Sequence, residues 1–176
     1  MQYGGGGHTL NNLISNGSYS FSNPIFASLA GYSSLALLKM LGMSTYTIIQ
    51  RFRTGNFTTP EDNIYKQLMD HIGLSNHNNN NSMMGNKNDL IERARENHLN
   101  DLENIIPFVL VGLFYVGTQP KVDCALWHFR IFLLSRLFHT IAYQVPLPQP
   151  TRTISWLLGY SSIISMTIPI LRSIQL

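Results

Sequence analysis

The run from Pro24 to Ile49 carries a single charge, Lys39. At about 1.5 Å of rise per residue, a helix of this length outspans the ~30 Å hydrocarbon core of a bilayer. Lipid offers no hydrogen-bond partners to backbone N–H and C=O groups, so a spanning segment of this kind satisfies them internally as a helix. Three later stretches resemble it. Ile105 to Gly117 is apolar, and the helix-forming sequence from Asp89 to Asn104 carries the same helix outward into water. Val122 to Val145 is a third candidate, and Thr153 to Leu171 contains no charge. The chain is 44% hydrophobic and only 12% charged, against a charged share of ~25% in ordinary soluble domains. These features predict an all-α integral membrane protein, a four-transmembrane-helix bundle with spans at about 24–49, 100–117, 122–145 and 152–172.

The flanks of the first span set the expected orientation. Residues 1–23, a polar and flexible amino-terminal extension, hold no Lys or Arg, whereas Arg51 and Arg53 follow the span directly. Without a basic segment ahead of the apolar run, a cleavable signal peptide fits poorly. The positive-inside rule then places the amino terminus outside and the loop 50–99 in the cytosol, with both termini lumenal after four spans. Within that loop, Asn76 to Asn88 (NHNNNNSMMGNKN) is a low-complexity polar insert with too little apolar surface to order itself. The Gly4–Gly7 run lacks the Lys-Ser or Lys-Thr of a phosphate-cradling loop and is expected to be spacer. Prolines 146, 148 and 150 form a stiff corner between spans three and four. The sequon Asn16-Gly17-Ser18 would be lumenal in this topology.

Several chemistries are excluded or poorly supported. A net charge of +3, scattered along the chain, gives no nucleic-acid footprint. Cys124 is the only cysteine, so there is no internal disulfide, CxxC pair or cysteine zinc cluster. It is expected to pack near the outer end of span three. The histidines form no short metal-ligand pattern, and no GxSxG or dinucleotide fingerprint occurs.

Polar side chains inside the spans carry more information, because ionisable groups in a bilayer face protein or a water-filled cavity. His128, Phe132, Arg136, His139 and Tyr143 fall within an arc of about 80° on one helix face. Arg136 can glue the bundle by pairing with a carboxylate on a neighbouring helix, or it can serve a pocket for an anion. Asp89, Glu92, Glu96, Asn100 and Glu103 share a second face, with Arg95 beside them. Glu103, next to the apolar run, is placed to meet a cation such as Arg136 or a ligand ammonium. Arg152 follows the proline corner at a helix amino terminus, a position that favours anions and would lower the pKa of a nearby thiol. Snorkelling to lipid phosphates is the alternative for this residue. Lys39, in mid-span, requires a partner that the sequence does not identify.

Three blocks, RFRTGNFTTPEDN from Arg51, ERARENHLNDLENIIPF from Glu92 and RLFHTIAYQVPLPQPTR from Arg136, closely resemble the MAPEG family of four-helix membrane enzymes, in its glutathione-transferase branch. The resemblance covers roughly Lys39 to Arg172, so 24–176 is expected to form one MAPEG-like domain. It implies a homotrimer in the endoplasmic reticulum membrane, and possible presence in the mitochondrial outer membrane, with glutathione bound as co-substrate between adjacent subunits near the cytosolic face. No metal is implied. Position by position, it implies glutathione contacts from Arg51, Arg95, His98, Asn100, Glu103, Arg136 and Tyr143, with Arg152 as the catalytic residue that stabilises the thiolate. The implied reaction is attack of that thiolate on hydrophobic electrophiles or on lipid hydroperoxides drawn from membrane lipids. A dedicated eicosanoid or lipid-mediator synthase of the same family, a catalytically silent scaffold and a small transporter are the alternatives. Three departures stand out. Glu96 replaces the second Arg of the family's basic pair, Asn63 stands where the family has a stress-sensing cysteine, and the Asn-rich insert and amino-terminal extension have no counterpart.

Overall fold

The protein is seen here as a computed structural model that describes residues 17–54, 64, 67–68, 71–73, 87–145 and 147–174. Among the described residues there are four long helices and no strand. They are α1 (Pro24–Thr54), α2 (Lys87–Gly117), α3 (Val122–Gln144) and α4 (Gln149–Ser173). The glycine run, Asn16 of the sequon, Asn63 and residues 76–86 of the Asn-rich insert lie outside the described residues. Lys87 and Asn88, expected as the end of that insert, instead open α2.

Helices α1, α2 and α4 are each long and apolar enough to cross a membrane. By composition α3 falls short of the same standard, because His128, Arg130, Arg136 and His139 interrupt it. Its polar groups are sorted by face: Arg136 and His139 are buried together with Phe129 and Phe132, while Trp127, Leu134, Phe138 and Ile141 are exposed. Apart from Arg130, which is exposed and donates through Nε to the Tyr32 hydroxyl at 3.2 Å, the span presents apolar surface outward and polar atoms inward, which a running average of hydropathy does not register.

Cross-contacts fix the arrangement. On α1 and α2, Asn97 donates through Nδ2 to Met43 Sδ at 3.6 Å, and Lys39 pairs with Asp101. Partner numbers fall on one helix as they rise on the other, so the pair is antiparallel. The same holds for α3 and α4, where His128 meets Ser165 at 2.9 Å and His139 meets Ser155 at 3.1 Å. Helix α1 packs mainly on α2 and α3 mainly on α4, with α2 also against α4 and α1 against α3. One end of the bundle therefore gathers the end of α1, the start of α2, the end of α3 and the start of α4.

Small residues let the helices approach. A Cβ on Gly112 would lie 2.5 Å from Leu29 Cδ1, and one on Gly159 would lie 2.7 Å from Ser135 Oγ and 3.3 Å from Arg136 Nε. Between lipid-exposed helices such close approach replaces the hydrophobic drive available in water. Mid-bundle, Phe108 stacks on Phe132 with centroids 3.8 Å apart and meets Phe129 edge-on at 6.0 Å. At the opposite end from the α3–α4 corner, residues 17–23 fold over the α2–α3 turn. There Gln119 Nε2 donates to Ser18 Oγ at 3.1 Å, and Asn23 Nδ2 donates to the Ser18 carbonyl at 3.0 Å. Cys124 is exposed in the first turn of α3 rather than packed, since the acidic and basic neighbours that open this helix turn outward with it.

Candidate functional site

The buried side of α2 is polar where the sequence is most charged. Asn97 and Asp101 have no exposed surface and Asn104 has 4%. Lys39 Nζ donates to both oxygens of Asp101 at 2.5 Å, which supplies the partner that mid-span Lys39 requires. Arg136 faces this cluster from α3, fully buried. It donates through Nη1 to Asn100 Oδ1 at 2.8 Å, while its Nε and Nη2 have no hydrogen-bond partner among the described residues. Of the two partners the sequence offered Glu103, the pairing with Arg136 is not formed among the described residues. Glu103 is exposed on α2, on the flank away from the buried stripe, and the amide one turn earlier takes its place.

The proline corner supplies the other wall. Pro148 caps α4 and Pro150 lies in its first turn, where a missing N–H costs nothing, so Arg152 is held within that turn. No acidic residue accompanies it, and the positive end of the helix dipole adds to its charge. The Arg152 guanidinium carbon lies 4.9 Å from the centre of the Tyr143 ring. Its Nε is shielded without a hydrogen-bond partner. Ser155 donates its hydroxyl to the Arg152 carbonyl at 2.8 Å. With that hydrogen committed, His139 Nδ1, 3.1 Å from Ser155 Oγ, is the donor of the pair, and His139 Nε2 is left as a buried acceptor with no partner. His139 thereby ties the start of α4 to α3.

Between these walls lies a cavity of about 310 Å³ lined by Asn100, His139, Tyr143, Gln149, Arg152, Thr153 and Trp156. Of the residues expected from sequence, the fold brings Asn100, Tyr143 and Arg152 into this lining and Arg136 directly behind Asn100. It does not bring Arg51, Arg95, His98 or Glu103 into it. Arg51 is half-buried in the last turn of α1. Arg95 is exposed and pairs with Glu92 at 2.9 Å. His98 is half-buried, with Nδ1 shielded and unpartnered. At about 100° per residue, His98 and Asn100 lie on opposite flanks of the buried stripe of α2.

His139, Gln149, Thr153 and Trp156 line the cavity without having been singled out as site residues. His139 shared the Arg136 face in the sequence, and that was its only signal. Glu96, which stands where the resemblance implies an Arg, accepts a hydrogen bond from the Tyr143 hydroxyl at 3.1 Å. Among the described residues, no three metal-ligating side chains come together.

The chain is 38% identical over 160 residues to microsomal glutathione S-transferase 1 of Bos taurus, covering 91% of this chain and 97% of that protein. It is 40% identical over 157 residues to the protein of the same name from Homo sapiens, covering 85% and 90%. It is 33% identical over 138 residues to prostaglandin E synthase of Equus caballus, covering 78% and 82%. The profile of the MAPEG family matches residues 29–172, and with that match over most of its length the chain belongs to the MAPEG family.

Proposed function

We propose that the protein is a membrane-bound glutathione transferase with glutathione-dependent peroxidase activity. The observation that carries this reading is the cavity where Arg152, Tyr143 and Asn100 converge, backed by Arg136 with two unpartnered donor atoms. Its volume sits at the low end of the ~300–1,000 Å³ found for ligand sites. Glutathione, with two carboxylates, an ammonium and a thiol, suits such a set of cations, amide and phenol. The residues outside the lining fit the same ligand if it lies between subunits of a homotrimer. Arg51, Arg95, His98 and Glu103 then meet it from the faces that a single chain leaves outside the cavity.

Asn100 holds a glutathione carboxylate, with the charge of Arg136 behind it reinforcing the attraction, and Glu103 receives the ammonium. Arg152, reinforced by the α4 amino terminus, stabilises the thiolate over the thiol. The thiolate sulfur then bonds to an electrophilic carbon as the leaving group departs with the bonding pair. With a lipid hydroperoxide, sulfur attacks the terminal oxygen, the O–O bond breaks and the lipid alcohol leaves. A second glutathione then reduces the resulting sulfenic acid to the disulfide. Hydrophobic substrates enter from the bilayer beside Trp156, which reaches from the cavity toward its stacking partner, exposed Tyr160.

The names of the similar proteins and the basic flank after α1 support a place in the endoplasmic reticulum, with the loop 50–99 cytosolic and both termini lumenal. Residues 24–176 act as one membrane domain behind an amino-terminal extension of 1–23. The test is glutathione binding and conjugation of an activated aryl halide by detergent-purified protein, with thiolate absorbance recorded on mixing. Thiolate with turnover is expected. Thiolate without turnover would direct the reading to a dedicated lipid-mediator synthase, which the 33% identity to prostaglandin E synthase favours as the second reading. No glutathione binding by an intact trimer would leave a silent scaffold.

A further inference from the structure

Two cations and one carboxylate share the buried middle of the bundle. Asp101 accepts from Lys39 on both of its oxygens and has no exposed surface. Arg136 is equally buried and close enough to act electrostatically on both members of that pair. One carboxylate cannot neutralise two cations, and a lone charge in such a place is strongly disfavoured. The geometry settles which cation takes the carboxylate. Lys39 holds both oxygens, while Arg136 turns to the neutral Asn100 Oδ1 on the cavity wall and keeps Nε and Nη2 unpartnered.

We propose that Lys39 is a positioning residue for the anionic co-substrate: by occupying Asp101, it prevents that carboxylate from capturing Arg136 and so keeps a positive charge available to the ligand. The inference rests on the glutathione reading. Lys39 does not line the cavity, so its influence passes through Asp101 and Arg136. If Lys39 lost its charge, Asp101 would be a buried anion beside a cation with two free donor atoms. The two would pair, and the guanidinium would leave Asn100. If Asp101 lost its charge instead, nothing would compete for Arg136, but Lys39 would be left as a second buried cation without a carboxylate. D101N is therefore expected to be less stable, and K39M/D101N, which orphans no lysine, carries the same comparison if D101N does not fold.

The two partners of one ion pair are therefore expected to act on glutathione in opposite directions. Kd, KM and kcat are measured on detergent-purified, full-length K39M, D101N and K39M/D101N, with oligomer size recorded for each. In K39M, Kd and KM for glutathione are expected to rise about 10- to 100-fold, as for loss of a hydrogen bond to a charged group, with kcat at saturation nearly unchanged. In D101N, Kd is expected to stay or fall, and K39M/D101N is expected to return to near the wild-type Kd. Should K39M not fold, K39Q takes its place with the same expected direction. Loss of affinity in both single variants, or an unchanged Kd in K39M or K39Q, would overturn the positioning role while wild-type binding preserved the glutathione reading. Absence of glutathione binding by intact wild-type protein would overturn both.

Discussion

Tyr143 donates its hydroxyl to Glu96 at 3.1 Å, so the phenol of the cavity wall is committed to a carboxylate of its own chain. An anionic ligand that uses this hydroxyl must first displace Glu96, and Glu96 also repels it. The residue that departs from the family pattern thus acts on the same side chain as the stacked Arg152 guanidinium.

Substituting E96Q is expected to tighten glutathione binding by about 2- to 10-fold, the scale of one net hydrogen bond. E96R is expected to do at least as much by adding a cation. In a Y143F background the gain should shrink to the part owed to charge, because no hydroxyl remains to be released. Calorimetry on E96Q, E96R, Y143F and the two double variants checks this, and an equal gain with Tyr143 absent would show that Glu96 acts through its charge alone.

Arg136 distinguishes a ligand-binding role from a merely cohesive one. R136M removes a buried cation whose direct side-chain partner among the described residues is an amide, so no carboxylate there is orphaned directly. Assembly is expected to survive while glutathione affinity falls by about 10- to 100-fold, as for charged hydrogen bonds. Size-exclusion profiles and Kd are read together, and loss of the trimer in parallel with affinity would assign Arg136 to cohesion.

For Arg152 the expectation separates binding from activation. R152L should still bind glutathione through Asn100 and Arg136 but give no thiolate absorbance near neutral pH. Conjugation should fall by about 100-fold or more, the range for removal of one electrostatic donor. An undiminished thiolate signal would remove Arg152 from the mechanism.

Gly159 offers a steric test of the same guanidinium from the opposite helix. In G159A the new methyl would approach Ser135 Oγ to 2.7 Å and Arg136 Nε to 3.3 Å. Overpacking of this kind costs about 1–3 kcal/mol. A lower Tm with a raised KM for glutathione is expected, and S135A in the same chain should recover part of both. Unchanged KM would mean that the helices part without moving Arg136.

Which features the sequence revealed depended on whether the physics was local. The apolar runs of α1 and α4 declare themselves, because lipid contact requires nothing beyond consecutive residues. Spacing alone placed Arg136 and His139 on one face of α3, and both are buried there. The partner of Lys39 was hidden. Asp101 sits in a segment whose charges look like a solvated helix face, and only the antiparallel register of α1 on α2 selects it from among its acidic neighbours. For the same reason Glu103 looked closer to Arg136 than it is, since adjacency to an apolar run does not say which way a side chain faces. Arg51, Arg95 and His98 were named through family resemblance, and a single chain does not bring them to the cavity lining.

The stacked rings of Phe108 and Phe132, with Phe129 edge-on, have a consequence for the rest of the bundle. All three are without exposed surface, and Phe132 lies one helical turn from Arg136. They form a dielectric plug across the bundle just beyond its charged chamber. The field of Lys39, Asp101 and Arg136 meets this hydrocarbon layer before it reaches the other half of the bundle. The buried charges are thereby confined to one half of the bundle, and the other half is left to pack as hydrocarbon alone.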